Sequence, residues 1–142
     1  MKYLLDTDHL VFLQRRAGAE YAALSTRMAR HSYADFALSV VSIHEQILGA
    51  HGLINQAKTT RQIVQGYVIL QTILQDSTVA QILAFDTAAG AIFDTLRAQR
   101  IRIATMDLRI AATALSHNLI VLTRNSKDFS RVPGLTIEDW TI

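Results

Sequence analysis

Short apolar runs alternate with longer segments of helical periodicity along the sequence, and this alternation constrains the fold more than any other feature. The short runs stop abruptly at polar residues, which is typical of buried strands that end in loops. A repeated strand–helix–strand order is typical of a parallel sheet covered by helices on both faces. We therefore predict an α/β fold, a three-layer α/β/α sandwich around a central and mainly parallel sheet.

Five strands and six helical segments are expected from these patterns. The strands are predicted at residues 2–5, 36–41, 79–85, 119–122 and 135–137. The helices are predicted at residues 9–16, 20–31, 42 onward, 55–75, 87–100 and 108–117. Ser42 is the expected N-cap of its helix, because Glu45 three residues later completes an S-x-x-E capping box. Thr7 or Asp8 is expected to cap the first helix, and Asp86 the helix that follows it.

The composition is that of an ordinary folded domain, since half of the residues are hydrophobic and 18% are charged. A chain of 142 residues supports one core, so we expect a single domain over residues 1–142. No apolar run approaches the roughly 20 residues that cross a bilayer. The charged segment at Asp6 comes too early for a signal peptide, and there is no cysteine for disulfides or thiolate metal sites. We expect a cytoplasmic protein that makes no contact with membranes.

Four acidic residues flank the predicted strands at one edge of the predicted sheet. Asp6 directly follows the first strand, and Glu45 lies in the first turn of the helix after the second. Asp107 begins the helix before the fourth strand, and Asp128 lies in the loop after it. Carboxylates brought together repel each other and are costly to desolvate, and Mg²⁺ or Mn²⁺ relieves this because both prefer oxygen ligands. The acids therefore predict a metal site suited to phosphoryl chemistry.

Each of these acids also has a purely structural interpretation. Asp6 would serve equally as a helix cap, and Glu45 as the return half of a capping box. Asp107 would be stabilised by the helix dipole, and Asp128 by water in an exposed loop. The shared edge of the sheet favours the metal site over these four separate explanations. The five histidines are scattered without zinc-site spacing, so we expect them to be solvated or partly buried.

The basic residues permit a nucleic-acid substrate without requiring one. The net charge is only +2, and arginine supplies eleven of the fourteen basic side chains. Arginine suits both bidentate phosphate contacts and protein interfaces. Arg97, Arg100, Arg102 and Arg109 fall close to Asp107 in the sequence, where they form either a phosphate-binding cluster or a solvated helix end.

Several segments, taken in order, resemble the PIN domains of VapC-type toxins from toxin–antitoxin systems. The resemblance covers essentially the whole chain and is carried by Leu4–Asp8, Ser39–Glu45, Met106–Ala114, Leu122–Phe129, Val132–Leu135 and Glu138–Trp140. It implies a PIN-like α/β/α fold and a metal-dependent endoribonuclease that acts on RNA. It further implies inhibition by a cognate antitoxin protein and assembly into a homodimer.

The resemblance also implies roles for the acidic residues. Asp6, Glu45 and Asp107 match the three core acids of the family, with Asp6 and Asp107 as ligands of Mg²⁺, for which Mn²⁺ substitutes. Glu45 is then either a further ligand or the general base. Asp128 matches an acid after the last main strand, but many PIN domains place that acid where this chain has Asn125. Either Asp128 completes the site, or Asn125 helps to orient a water there.

Polar neighbours of the acids receive supporting roles from the same resemblance. Thr7, Ser42 and Thr123 are expected to position the carboxylates or waters through their hydroxyl groups. Arg109 and Arg124 are expected either to contact the RNA backbone or to form salt bridges with the acids.

Two other functions remain open at this point. In an aspartyl phosphatase, Asp6 would form a phosphoenzyme and Asp8 would donate a proton, but Lys127 and Asp128 fit the remaining positions poorly. In a non-catalytic module, the PIN fold would serve only to bind a partner, and the retention of the core acids argues against this.

Overall fold

All 142 residues are described by a computed structural model, in which five strands form one parallel sheet. The strands are β1 (Tyr3–Leu5), β2 (Phe36–Ser39), β3 (Ile82–Leu83), β4 (Ile120–Leu122) and β5 (Ile137–Glu138). Their order across the sheet is β3-β2-β1-β4-β5, so the first strand of the chain lies at the centre. Every pair of neighbouring strands is parallel, which confirms the predicted sheet.

Seven α-helices cover the two faces of this sheet. They are α1 (Thr7–Arg15), α2 (Ala19–Met28), α3 (Val40–Gln56), α4 (Thr60–Ser77), α5 (Thr87–Ala98), α6 (Thr105–Ser116) and α7 (Ser126–Phe129). A short 3₁₀ turn, Tyr33–Asp35, leads into β2. None of the helices combines the length and the apolar composition that crossing a membrane would require.

Alternate residues of each strand enter two separate cores, because side chains along a strand point to opposite faces. Leu4 packs in a core with residues of α3, α5, α6 and α7. Leu5 packs in the other core with residues of α1 and α2. The strands on either side repeat this division, with Ala37 and Val121 in the first core and Leu38 and Leu122 in the second. The three-layer α/β/α sandwich is thereby confirmed.

The helix after β2 begins earlier than predicted, and its cap is a different serine. β2 ends at Ser39, so the strand is two residues shorter than the predicted range 36–41. The Ser39 hydroxyl accepts a hydrogen bond of 3.0 Å from the Val41 backbone N–H, which makes Ser39 the N-cap of α3. Ser42 therefore lies inside the first turn, and the predicted capping box is wrong. The error arose because Val40 and Val41 are β-branched and extend the strand pattern.

The cap of α1 also differs from the prediction, whereas the cap of α5 agrees with it. Asp6 caps α1 by accepting a hydrogen bond of 2.7 Å from the Thr7 backbone N–H, so neither Thr7 nor Asp8 is the cap. Asp86 caps α5 as predicted, with a hydrogen bond of 3.0 Å from the Ala89 backbone N–H.

Helices α3 and α4 form a long hairpin, and the predicted boundary between the two helices is wrong. The predicted helix 55–75 is wrong at its start, because α3 continues to Gln56 and α4 begins only at Thr60. Thr59 caps α4 by accepting a hydrogen bond of 3.2 Å from the Gln62 backbone N–H. Many apolar side chains on the hairpin remain exposed: Leu48, Leu53, Ile63, Val64, Tyr67, Val68, Ile69 and Leu74.

The C-terminal segment is tied to α1 through a buried histidine. His9 is fully buried, and its Nε2 accepts a hydrogen bond of 3.1 Å from the Trp140 backbone N–H. Its Nδ1 lies 2.7 Å from an oxygen of Asp8. The expectation that the histidines are solvated or only partly buried is therefore wrong for His9, because a partner 131 residues away satisfies its ring.

The hairpin depends on a close approach at Gly66 of α4. A Cβ atom there would lie 2.5 Å from Cγ1 of Ile54 in α3, so we expect Gly66→Ala to lower the free energy of unfolding by about 1–3 kcal/mol. A Cβ at Gly52, in the same hairpin, would meet no atom within 4 Å. Gly52→Ala should therefore raise that free energy by about 0.5–1 kcal/mol. Urea unfolding compares the variants, and equal effects would contradict the close approach.

Candidate metal centre

Asp6 lies at the carboxyl end of the central strand and is held by two hydrogen bonds. Its side chain is only 5% exposed. One carboxylate oxygen caps α1 through Thr7, as described above, and the other accepts a hydrogen bond of 2.8 Å from the Thr123 hydroxyl. Thr123 follows β4, the neighbour of β1 in the sheet. The first turn of α1 and the end of β4 together fix the position of this carboxylate.

Glu45 and Asp107 approach Asp6 from two other helices. Glu45 lies on α3, and its Oε1 accepts a hydrogen bond of 2.9 Å from the Thr7 hydroxyl. Asp107 lies in the first turn of α6. One carboxylate oxygen from each of Asp6, Glu45 and Asp107 lies within 4.8 Å of the other two. The structure thus brings together the three acids that the sequence placed at one edge of the sheet.

Asn125 connects Asp107 with Asp128, the fourth acid. Its amide nitrogen lies 3.3 Å from Oδ2 of Asp107 and 3.1 Å from Oδ2 of Asp128. Its backbone N–H donates a hydrogen bond of 2.9 Å to the Thr123 hydroxyl. Asp128 lies in α7 and outside the group of three carboxylates. Asn125 therefore occupies the space between the fourth acid and the rest of the centre.

The centre carries negative charge that no nearby cation balances. Burial raises the pKa of Asp6 to about 7, and the charges of Asp8 and Asp107 add to this rise, whereas the hydrogen bonds from Thr123 and Thr7 oppose it. Burial, followed by the charges of Glu45 and other acids, raises the pKa of Asp107 to about 6. Three converging carboxylates with this excess charge fit a hard divalent cation, which prefers oxygen ligands.

Asp8 also contributes to this centre, a role that was not predicted, since Asp8 was expected only as a helix cap or as the acid of a phosphatase. Its Oδ2 accepts a hydrogen bond of 2.9 Å from the Arg124 backbone N–H, and its Oδ1 contacts His9. Its charge raises the pKa of both Asp6 and Asp107. The Asp-x-Asp spacing is the signal that would have indicated this role. The contacts of Asp8 leave it poorly placed to donate a proton, which argues against the phosphatase.

The side chains of the remaining predicted site residues make no hydrogen bond or ion pair with the acids. Ser42 is fully buried, and its hydroxyl has no hydrogen-bond partner among the protein groups. The Arg109 guanidinium lies over the Phe93 ring, 5.6 Å from its centroid, and that of Arg124 lies over the Phe12 ring at 5.4 Å. Neither arginine forms an ion pair with an acid, so the alternative of salt bridges is not observed.

Comparisons with known proteins agree with this geometry. The family model of the PIN domain matches residues 3–135. Ribonuclease VapC1 of Rickettsia felis is 30% identical over 96% of this chain and 95% of that protein. The tRNA(fMet)-specific endonuclease VapC of Salmonella typhimurium is 26% identical over 99% of this chain and 98% of that protein.

Solved structures show the same relationship. A chain of the DNA-bound VapBC structure from Salmonella typhimurium matches with a TM-score of 0.79 at 25% identity, covering 99% of this chain and 98% of that chain. A chain of VapBC-1 from nontypeable Haemophilus influenzae matches with a TM-score of 0.74 at 25% identity, covering both chains completely. The fold, the acidic centre and these matches define a PIN domain. Within that family, the chain belongs to the VapC ribonuclease toxins of VapBC toxin–antitoxin systems.

The raised pKa of Asp6 gives the metal-free protein a specific dependence on pH. Its value of about 7 in the folded protein exceeds 3.8, so the folded state binds the proton more tightly than the unfolded state. The resulting stabilisation is complete below pH 3.8 and is lost as the pH rises through about 7. We therefore expect the melting temperature measured in EDTA to fall between pH 5 and pH 8.

The variant Asp6→Asn removes this charge and retains a good helix cap. At pH 8 we expect it to melt roughly 5 °C above the unmodified protein, and the difference should shrink at pH 5. Asp94→Asn changes an exposed acid on α5 and serves as the matched control. Equal melting temperatures of Asp6→Asn and the unmodified protein at pH 8 would contradict the strong desolvation of Asp6.

Proposed function

We propose that this chain is a Mg²⁺-dependent endoribonuclease that hydrolyses RNA phosphodiesters, with Mn²⁺ able to replace Mg²⁺. The convergence of the Asp6, Glu45 and Asp107 oxygens within 4.8 Å is the observation that carries the proposal. Asp6 and Asp107 are the proposed metal ligands, and Glu45 acts as a further ligand or as the general base. The whole chain, residues 1–142, acts as one nuclease domain in the cytoplasm, where its RNA substrate is found.

The cation, when bound, would lower the pKa of a water and stabilise negative charge on the phosphate. Thr7 positions two acids at once, because its backbone N–H holds Asp6 and its hydroxyl holds Glu45. Thr123 holds the second oxygen of Asp6 from the neighbouring strand. Glu45 accepts one hydrogen bond, from Thr7, whereas Asp6 accepts two. Its second carboxylate oxygen is therefore available to accept a proton from the attacking water.

The fourth acid acts together with the amide between it and the centre. Asn125 donates to both Asp107 and Asp128, and so it orients Asp107 while reducing the repulsion between the two carboxylates. We assign Asp128 to the catalytic group as the outermost acid, and Asn125 to the support of Asp107. Ser42 belongs to the same supporting set, because its buried hydroxyl lies one helical turn before Glu45 on α3.

Arginine side chains around the centre would bind the RNA backbone. Only Arg27 among the eleven arginines forms an ion pair with a carboxylate. Arg109 and Arg124 are accordingly free to donate to phosphate groups, which guanidinium groups bind in a bidentate manner. Both belong to segments that also supply the centre, since Arg109 follows Asp107 in α6 and Arg124 follows Thr123.

Two protein partners are proposed for the apolar surface of the hairpin. A groove of about 490 Å³ between α1, α3 and α4 has a largely apolar surface, and Glu45 is among its lining residues. A cognate antitoxin that fills this groove would cover Glu45 and thereby block the centre. A second copy of the chain is proposed on the outer side of the hairpin, where Ile47, Ile54, Tyr67 and Leu70 line a smaller cleft.

Cleavage of single-stranded RNA by the purified protein, in Mg²⁺ or Mn²⁺ and in EDTA, tests the proposed activity. We expect Asp107→Asn to lower the cleavage rate at least about 100-fold. Loss of a group that only supports a metal ligand lowers activity by about 10- to 100-fold, and loss of the ligand itself should lower it at least as much. Asp94→Asn changes an exposed acid of α5 that is not one of the converging carboxylates, and it should retain full activity. Equal cleavage by the unmodified protein and Asp107→Asn would rule out the proposed centre.

A further inference from the structure

A second cleft, of about 500 Å³, opens beside the acidic centre. Its lining consists of Val40, Val41, His44, Phe85, Phe93 and Arg109, and we refer to it as the aromatic cleft. It lies between the start of α3, the segment after β3, and helices α5 and α6. A volume of this size is in the range that small ligands occupy.

The aromatic cleft is connected with the acidic centre along helix α3. Val41 lies one turn before Glu45 on α3, and residues four apart on a helix are neighbours on its surface. Arg109 lines the cleft and follows Asp107 by two residues in α6, so these two side chains leave the helix in different directions and the connection runs along α3. A chain-like substrate that places one phosphate at the acids would therefore extend directly into the aromatic cleft.

The chemistry of the lining combines aromatic rings with unpaired positive charge. Phe85 is half-buried and packs edge-to-face against Phe93, with ring centroids 5.9 Å apart. The guanidinium groups of Arg97 and Arg109 lie over Phe93 at 5.2 and 5.6 Å from its centroid. Neither arginine forms an ion pair, and the only polar contact of the Arg109 guanidinium is the Met106 sulfur at 3.7 Å.

An aromatic ring next to a free guanidinium matches the two parts of a nucleotide. Bases stack on aromatic side chains largely irrespective of sequence, and guanidinium groups bind phosphate. We propose that the aromatic cleft binds the nucleotide next to the cleaved bond, with its base on Phe85 and its phosphate on Arg109. Such stacking requires an unpaired base, so the substrate segment is single-stranded. This inference rests on the proposed cleavage of RNA at the acidic centre.

A second copy of the chain is the competing occupant of this cleft. The unpaired arginines favour RNA, because a polyanion supplies the negative charge that the surrounding protein groups do not. The continuity with the acids points the same way, since a protein subunit seated there would obstruct access to the centre beside it.

Binding of labelled oligonucleotides tests the inference in an Asp6→Asn background, which prevents cleavage. The probes are a fluorescein-labelled 12-nucleotide oligoadenylate and an abasic strand of equal length, followed by fluorescence anisotropy. Loss of the ring in Phe85→Leu should weaken oligoadenylate binding about 10-fold and leave abasic binding nearly unchanged, because only the base stacks. Phe85→Tyr keeps the ring and should restore binding, whereas Arg109→Gln should weaken binding of both strands.

Tyr33→Leu provides the matched control, since Tyr33 is an exposed aromatic residue before β2, at the opposite end of the strands. It should not alter binding of either strand. Equal effects of Phe85→Leu on the two strands, in a variant with an unchanged melting temperature, would overturn the inference. A change of oligomeric state in Phe85→Leu, measured by light scattering, would also overturn it and assign the cleft to a second copy.

The binding measurement also separates this inference from the proposed function. If the unmodified protein cleaves RNA but shows no Phe85-dependent preference for bases, only the aromatic cleft is wrongly assigned. If it shows that preference and yet fails to cleave RNA with Mg²⁺ or Mn²⁺, the cleft is supported and the proposed cleavage fails.

Discussion

The burial of the Asp6 carboxylate at the end of the central strand determines how the other groups of the site are arranged. Because β1 pairs with both β2 and β4, the segments that follow these strands must meet beside Asp6. The segment after β2 begins α3 and places Glu45 on one side of Asp6, and the segment after β4 places Thr123 on the other. Burial and neighbouring charge both oppose ionisation of Asp6. Either a bound proton or a bound cation therefore stabilises the site.

Neutral groups support the acids, and the positive charges stand further out. Threonine hydroxyls, backbone N–H groups and the Asn125 amide make the hydrogen bonds to the carboxylates, while Arg109 and Arg124 lie over aromatic rings. An arginine paired with the acids would cancel the charge that attracts a cation. Placed outside the centre, as in the proposed function, the same arginine would attract a phosphate backbone instead. This separation explains how a strongly acidic centre can act on a polyanionic substrate.

The sequence was sufficient for the fold class and for the three converging acids, because both depend on where apolar strands end. It was insufficient where one local sequence pattern is compatible with two different structures. Ser39 and Ser42 are both plausible caps, and only packing decides that Val40 and Val41 continue as helix. The break between α3 and α4 contains neither glycine nor proline to mark it. The burial of His9 depends on Trp140, a partner that no local pattern identifies.

Calorimetric titration with Mn²⁺, repeated in buffers of different ionisation enthalpy, measures whether a bound cation displaces protons from the buried acids. With pKa values of about 7 and 6, Asp6 and Asp107 carry protons at pH 6 that a bound cation must displace. We expect release of between one and two protons per ion at pH 6, almost none at pH 9, and loss of binding in Asp6→Asn. Binding of Mn²⁺ at pH 6 that releases no proton, or that persists unchanged in Asp6→Asn, would contradict this expectation.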